Sequence, residues 1–447
     1  MDVELLSRIQ FAVTIGFHFL FPPVSIGLAW MLVILEGLGW RKNDLDYVKL
    51  GKFFGKVLAL TFAVGVATGI VMEFQFGTNW SRYSKVVGDI FGAPLAAEGV
   101  IAFFLESGFL GLYLFGRDRV SKGLHWFSIL MVAVGSTLSA FWIIVANSWQ
   151  QTPAGFIFNE TTQRAELTSF YDAVFNPSTW IRFFHTVDAS LITGAFWVAG
   201  ISAFWLLRNQ SSHMAKKSLR IAVIFGLIVA GMEIFPIGHE HGQQVAETQP
   251  EKFAAMNGIY SSETGAPIML FAVPIDHPPD LVAKLQIPGL LSWLAFGDVN
   301  ATIRGINEFP RENIPPLFLT FVSYHNMVLL GMFFVFIMAL SVFMLIRKKL
   351  FESRKILRVL LWSMPLPLAA CQLGWMAAEV GRQPWIVYHV MRTHDAFSPN
   401  VGSGEVLFSL VAFSLLYLFL GAVYIYLLKH KMEAGPDPVQ AKEVNHA

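Results

Sequence analysis

The stretch LFLTFVSYHNMVLLGMFFVFIMALSVFMLI (Leu317–Ile346) is a single, mostly apolar run of thirty residues. A helix needs about 20 such residues to cross a bilayer. Eight more runs of this kind occur: 11–35, 53–72, 93–115, 125–147, 180–206, 219–237, 357–379 and 405–428. Composition agrees, with 55% hydrophobic and only 14% charged residues, 41 Phe and 13 Trp in 447 residues. A soluble chain carries about 25% charged residues. The fold class is therefore an all-α polytopic membrane protein of about nine transmembrane helices. A net charge of +1 leaves no basic surface for nucleic acid. One cysteine, Cys371, cannot make an internal disulfide, a CxxCH haem attachment or an iron–sulfur cluster. Any redox cofactor must be held by His, Met or carboxylate.

The first run is too long for a signal-peptide core, and Met1–Gln10 lacks a basic leader, so the segment is expected to be retained. Gly65 and Gly69 form a GxxxG suited to close helix packing. Lys and Arg divide unevenly between the two sets of connections: twenty fall in 36–52, 116–124, 207–220, 347–358 and 429–447, against eleven in the longer opposite loops. The positive-inside rule then puts the N-terminus outside and the C-terminus in the cytoplasm. The connection 238–316 is 79 residues long with nine of the 21 prolines. A loop of that length is usually functional or disordered. Its apolar patches, Ile268–Val273 and Ile287–Phe296, favour a folded cap lying on the membrane.

Ionisable side chains inside a bilayer cost several kcal/mol and call for a reason. The candidates are His18, Glu98, Glu106, His185, Asp188, Glu379 and, as a soft ligand, Met327. Counted from the starts of their apolar runs, His18, Glu98, His185, Met327 and Glu379 lie within roughly 17 Å of the outer boundary. Glu106 is eight residues beyond Glu98, about 12 Å nearer the cytoplasm and some 80° round the helix. Ser139 has a similar middle depth, so Glu106 and Ser139 suit a proton relay towards the outer cluster. Each residue also has a plainer role. A membrane His is as often packed and hydrogen-bonded as metal-bound. Met327 alone suits core filling. Glu379 and Arg382, at i+3, suit an interfacial ion pair. Arg182 and Asp188 flank His185 and suit mutual neutralisation. These plainer roles explain the shared depth poorly. Haem suits the set, being flat, apolar and content with His, Met or weaker axial ligands.

Four strings carry a family resemblance: GWMAAEVGRQPW (Gly374–Trp385), MEFQFGTNW (Met72–Trp80), AAEGVIAFFLES (Ala96–Ser107) and RFFHTVDAS (Arg182–Ser190). In this order, across nearly the whole chain, they resemble subunit I of the cytochrome bd-type quinol oxidases, in the form with a short quinol loop. The resemblance implies that His185 and Met327 ligate a low-spin haem b (b558). It implies that His18 and Glu379 serve two high-spin haems, b595 and haem d (or a further haem b), with Glu98 beside them. Arg382 and Trp375 would hold propionates or support electron transfer. Glu106, Ser139 and Glu98 would form the proton path, and Lys252 would serve quinol binding. Residues 1–237 would then carry helices one to six, 238–316 the quinol-oxidising loop, and 317–447 helices seven to nine with the cytoplasmic tail.

Two positions depart from the family pattern. His325 stands where Arg is common, two residues before Met327. Residues two apart point about 200° from each other on a helix, so a His185–His325 ligand pair is an alternative to His185–Met327. Asn257 stands where some members carry Glu, five residues after Lys252. The implied activity is electrogenic, non-pumping quinol:O2 oxidoreduction in the bacterial plasma membrane. Implied partners are a second subunit (subunit II), a small single-helix subunit, quinol and O2. The alternative class is a proton-coupled transporter, which would show paired broken helices; Pro22–Pro23 reads as an isolated kink. A haem-bearing anchor that does not touch oxygen is a third reading, with more ligand candidates than one haem needs.

Overall fold

The computed structural model describes residues 2–210, 212–276 and 279–436. Among them are nine helical spans long and apolar enough to cross a membrane: Val3–Lys42, Leu45–Thr78, Ser81–Phe115, Lys122–Gln151, Phe170–Leu207, Ser212–Thr248, Leu317–Ile346, Arg354–Val380 and Ser403–Ala434. They are numbered one to nine below. Span seven coincides with its apolar run. The others extend past theirs because the helices continue into polar residues that water can serve. Asp44 Oδ1 caps span two by accepting from the Asp46 N–H at 3.0 Å, and Ser121 Oγ caps span four by accepting from Leu124 N–H at 3.2 Å. The tail from 437 onward lies outside the described residues.

Several spans are interrupted. Span one breaks between Val3–His18 and Pro22–Lys42, and span eight between Arg354–Trp362 and Leu366–Val380. Both second pieces carry proline in the first turn, where a missing N–H costs no hydrogen bond. Span five begins with a short helix, Phe170–Val174, before Thr179–Leu207. Spans three and six carry π-helical turns at Glu98–Ala102 and Glu233–Gly238. Pro22–Pro23 is thus one break among several rather than an isolated kink; the π turns leave no compositional mark in an apolar run. Such turns recur at functional sites because the extra residue re-aims the helix face.

Spans one to four pack together, spans five to eight form a second group, and the groups meet along spans one and five, with span nine against one and two. The contact between the groups is backbone on backbone. A Cβ on Gly27 would stand 2.1 Å from the Ser190 carbonyl oxygen, and one on Gly194 would stand 2.3 Å from the Gly27 carbonyl carbon. Gly65 and Gly69 bring span two against the break in span one, at Phe21 and at the His18 ring.

The 238–316 segment is folded over the described residues. Span six kinks at its π-type turn, where the Phe235 backbone is extended (φ −152°, ψ 118°), and resumes as His239–Thr248, so helical structure passes the boundary expected at 237/238. Pro250–Asn257 and Leu290–Phe296 are helical, and Ile268–Asp276 pairs antiparallel with Pro279–Ile287. A small core of Val245, Phe253, Ala254, Ile259, Leu291 and Ile306 holds the segment together. The membrane face from which it projects is called the loop face.

Candidate functional site

His18 ends the first piece of span one, where the break frees its ring from the helix. Its Nδ1 lies 3.0 Å from Thr68 Oγ1 on span two, and a Cβ on Gly69 would stand 3.1 Å from its ring. Glycine at 69 is what lets the imidazole lie flat against span two. The next ring, Phe19, packs on Trp375 of span eight at 5.6 Å between centroids. Trp375 is four residues before Glu379, on the same helix face, so His18 and Glu379 flank one region.

Glu379 is the hub of the loop-facing ends. Asn147 Nδ2 donates to its Oε1 at 3.0 Å and Gln151 Nε2 at 3.2 Å, and Arg382 pairs with its other oxygen. Arg182 of span five donates to the Asn147 amide oxygen. The i,i+3 ion pair anticipated between Glu379 and Arg382 therefore exists, inside a larger network. Lys252 reaches the same network from the loop: its Nζ donates to Gln151 Oε1 at 3.1 Å and to Gln249 Oε1 at 3.2 Å. Burial pushes the Lys252 amine well below its ordinary pKa, and the nearby Arg182 charge adds to the effect.

His185 is the seventh residue of Thr179–Leu207, about 9 Å in from the start of that helix. Its Nε2 stands 3.3 Å from Glu233 Oε1 in the π turn of span six, and its ring meets the His241 ring at 4.8 Å. Asp188, one turn on, lies beside Glu233. Met327 lies on span seven with its sulfur against span eight: a Cβ on Gly374 would stand 2.8 Å from Sδ. One turn further, Gly331 abuts Ile234 of the same π turn. That turn thus lies between the faces bearing His185 and Met327. His325 points elsewhere, its Nδ1 donating to the Phe321 carbonyl at 3.0 Å and its ring stacking on the Phe321 ring.

Ser139 Oγ donates to Glu98 Oε1 at 2.7 Å. Glu98 therefore shares the mid-span level of Ser139 and does not join the loop-facing set. The reason is that span three starts at Ser81, whose first turns (SRYSKVVGD) are polar, so counting from the apolar run at 93 placed Glu98 too high. It is the first residue of the π turn, about 25 Å along the span. Glu106 is buried, its backbone against Gly135 one turn below Ser139. Glu98, Ser139 and Glu106 form a descending series between spans three and four.

Asn147, Gln151, Glu233 and His241 were missed by the sequence criteria. Glu233 lies inside the 219–237 run and meets the same intramembrane-acid test. Asn147 and Gln151 sit four apart in the polar cluster NSWQQT at the end of span four, a signal visible once neutral amides are counted. Whether a haem fits can be judged from what is left unpaired. Arg182 Nε, Gln249 Nε2, Arg382 Nη1 and Trp385 Nε1 are buried donors without an acceptor. Native structures rarely leave such atoms orphaned, and propionate oxygens are acceptors of the required kind. His185 Nδ1, Asp188 Oδ2 and Glu233 Oε2 are likewise buried and unpaired. The donor set fits the group.

Three comparisons bear on this arrangement. The family model for cytochrome bd terminal oxidase subunit I matches residues 6–436. The chain is 40% identical to cytochrome bd ubiquinol oxidase subunit 1 of Bacillus subtilis (strain 168), covering 98% of this chain and 95% of that one. It is 35% identical to cytochrome bd-II ubiquinol oxidase subunit 1 of Escherichia coli (strain K12), covering 99% and 98%. The solved structure of bd oxidase from Geobacillus thermodenitrificans superposes with a TM-score of 0.92 at 31% identity, over 97% of this chain and 99% of that one. Nine spans among the described residues, half-buried His, Met and Glu side chains, and likeness along the whole length converge: the chain belongs to the cytochrome bd terminal oxidase subunit I family.

Proposed function

We propose that this chain is the quinol-oxidising, oxygen-reducing subunit of a bd-type terminal oxidase in a bacterial plasma membrane, working with subunit II and a small single-helix subunit. The observation that carries the reading is the polar path Lys252–Gln151–Glu379–Arg382, which joins the loop to a buried carboxylate in two hydrogen-bonded steps. His185 and Met327 would hold a low-spin haem b (b558), with Glu233 orienting His185. His18 and Glu379 would serve the high-spin haems, b595 and haem d or a further haem b. Arg382, Arg182 and Trp385 offer donors to propionates, and Trp375 packs on Phe19, next in sequence to His18. When bound, the haems take electrons from quinol and deliver them to O2, which becomes water.

The chain's own part is to handle protons and exclude water. Lys252, whose amine burial holds below its ordinary pKa, donates to a quinol oxygen, and quinol protons leave at the loop face. The loop face is the outer face by the Lys and Arg count. Protons for oxygen reduction come from the opposite side through Glu106, Ser139 and Glu98. Taking them from one face and releasing quinol protons at the other makes the reaction electrogenic without pumping. A proton-coupled transporter reading has no support from the relatives, whose likeness along the whole chain is to bd-type oxidase subunits.

The test is a dithionite-reduced minus air-oxidised spectrum of the complex with its partner, with quinol-driven oxygen consumption. Haem b bands and quinol-driven oxygen uptake are expected; a red chlorin band beside them identifies haem d at the oxygen site, and its absence a further haem b. Well-folded complex with no haem signal sinks the proposal.

A further inference from the structure

A second cluster lies beside Lys252 and takes no part in the path to Glu379. Glu251, its neighbour on Pro250–Asn257, is about 100° round the helix. Tyr388 Oη donates to Glu251 Oε2 at 2.6 Å, and His389 Nε2 stands 3.7 Å from Glu251 Oε1. The Tyr388 and His389 rings stack at 4.0 Å. Tyr388 N–H is pinned to the Gln150 carbonyl at 2.9 Å. His389 is held at φ 56°, a left-handed conformation that a non-glycine residue rarely adopts. That turn brings its ring back towards Glu251 while leaving 53% of the side chain exposed, against 10% for Glu251. Tyr388 and His389, with Thr152, Phe156, Pro177 and Thr248, line an open depression of about 450 Å³. A volume of roughly 300–1,000 Å³ is that of a small-molecule site. Asn257 adds no acid here, since its amide donates to the Phe253 carbonyl at 2.9 Å.

A buried carboxylate, fixed by a phenol and facing an imidazole at the mouth of a depression, is the arrangement of a general base with its orienting group. We infer that His389 is the catalytic base of quinol oxidation and that Glu251, held by Tyr388, is its positioning partner. The inference rests on the reading of the loop face as the quinol-oxidising face. The quinol ring occupies the depression with one hydroxyl on His389 Nδ1, Nε2 being the nitrogen that faces Glu251. As that O–H bond breaks, the proton goes to His389 and the electron to the haems of the oxidase. The imidazolium, stabilised by the Glu251 carboxylate, gives its proton to solvent. Repetition at the second hydroxyl yields quinone, two protons and two electrons. The groups that face His389 are Glu251 from the loop helix and Tyr388 and Trp385 from its own segment. Arg392 lies over Trp385, and Arg304 acts on Tyr388.

The experiment uses the complete oxidase complex. Oxygen uptake is followed from about pH 5 to pH 8, the range where a histidine titrates, with quinol and with an artificial one-electron reductant that has no hydroxyl proton to lose. His389→Asn keeps a residue that tolerates the left-handed backbone. It is expected to lower quinol turnover at least about tenfold, to flatten the acid limb of the pH profile, and to leave the artificial-reductant rate and haem spectrum unchanged. Glu251→Gln removes the carboxylate that orients His389, so kcat with quinol is expected to fall while KM, the artificial-reductant rate and the haem spectrum stay unchanged; a merely structural role for Glu251 would lower the rates with both donors together. If the His389→Asn complex fails to assemble, the Glu251→Gln split between the two donors decides alone. A wild-type rate and profile in both variants, with Lys252→Met impaired, overturns this inference and leaves the quinol reading standing. Full quinol turnover in all three variants overturns both.

Discussion

Gln151 and Glu379, 228 residues apart in sequence, share a hydrogen bond of 3.2 Å across spans four and eight. The same Gln151 side chain accepts from Lys252 at 3.1 Å, so one neutral amide joins the loop to the carboxylate hub. Gln151→Leu would leave both partners short of a bond in a buried setting, at a cost of ~1–3 kcal/mol. We expect a lower thermal midpoint and quinol turnover reduced about tenfold, with the larger loss for quinol than for an artificial reductant. Equal losses for both donors would place Gln151 in general stability alone.

Lys252 gives a pH signature of stability. Burial holds its folded-state pKa well below the ordinary lysine value. Between the two values the unfolded chain binds the extra proton, so stability rises with pH across that window and the penalty is greatest below it. Lys252→Met removes the titrating group. The thermal midpoint of the mutant complex, followed by tryptophan fluorescence, should climb less steeply with pH than that of the wild type. Parallel curves would show that Lys252 is solvated and normally charged.

Met327 is tested from both sides of its contact. Met327→Leu should abolish the low-spin haem spectrum; survival of that spectrum unchanged would remove Met327 as a ligand. Gly374→Ala places a methyl group 2.8 Å from Met327 Sδ, closer than packed atoms tolerate. It should shift the sulfur and perturb the same bands while leaving the high-spin bands in place. His325→Gln should leave the low-spin spectrum intact, because the ring is turned to Phe321.

The spans and most of the candidate residues were legible because lipid imposes a length and an apolar composition that short motifs do not need to support. Depth was less legible. The polar first turns of span three hid its start, which moved Glu98 from the loop-facing set to the level of Ser139. The hub around Glu379 was half legible: Arg382 follows from i+3 spacing, but Asn147, Gln151 and Arg182 reach it from other spans. No single-chain periodicity encodes that meeting. Glu233 shows a different gap: as an acid inside the 219–237 run it was legible by the same test as the others, but its place beside His185 was not. Glu251, Tyr388 and His389 were illegible for the same reason as the hub: their cluster is built from two loops 137 residues apart.

The crossing of spans one and five should be intolerant of any side chain. A Cβ on Gly27 meets backbone at 2.1 Å, with no flexible atom to yield. Overpacking of a core costs ~1–3 kcal/mol when side chains can shift, and here they cannot. Gly27→Leu should therefore abolish assembled complex in membranes. Gly92→Ala, at a position with open space around its α-carbon, should accumulate normally.

Glu106 decides whether the descending series conducts protons. It is buried between spans three and four, one turn from Ser139, which itself bonds Glu98 at 2.7 Å. Glu106→Gln keeps the shape and most of the hydrogen bonding but cannot exchange a proton. Loss of a positioned proton-transfer group typically costs about 100-fold or more, so oxygen reduction should slow by that order while haem content stays near wild type. Generation of membrane potential by the pre-reduced complex on mixing with O2 should slow in parallel, because charge moves only as protons climb towards the loop face. Quinol reduction of the haems under anaerobic conditions should keep its rate, since that half-reaction uses the opposite end of the protein. Wild-type oxygen reduction in Glu106→Gln would mean that protons enter by another route and that the Glu98–Ser139 pair is a helix-packing contact.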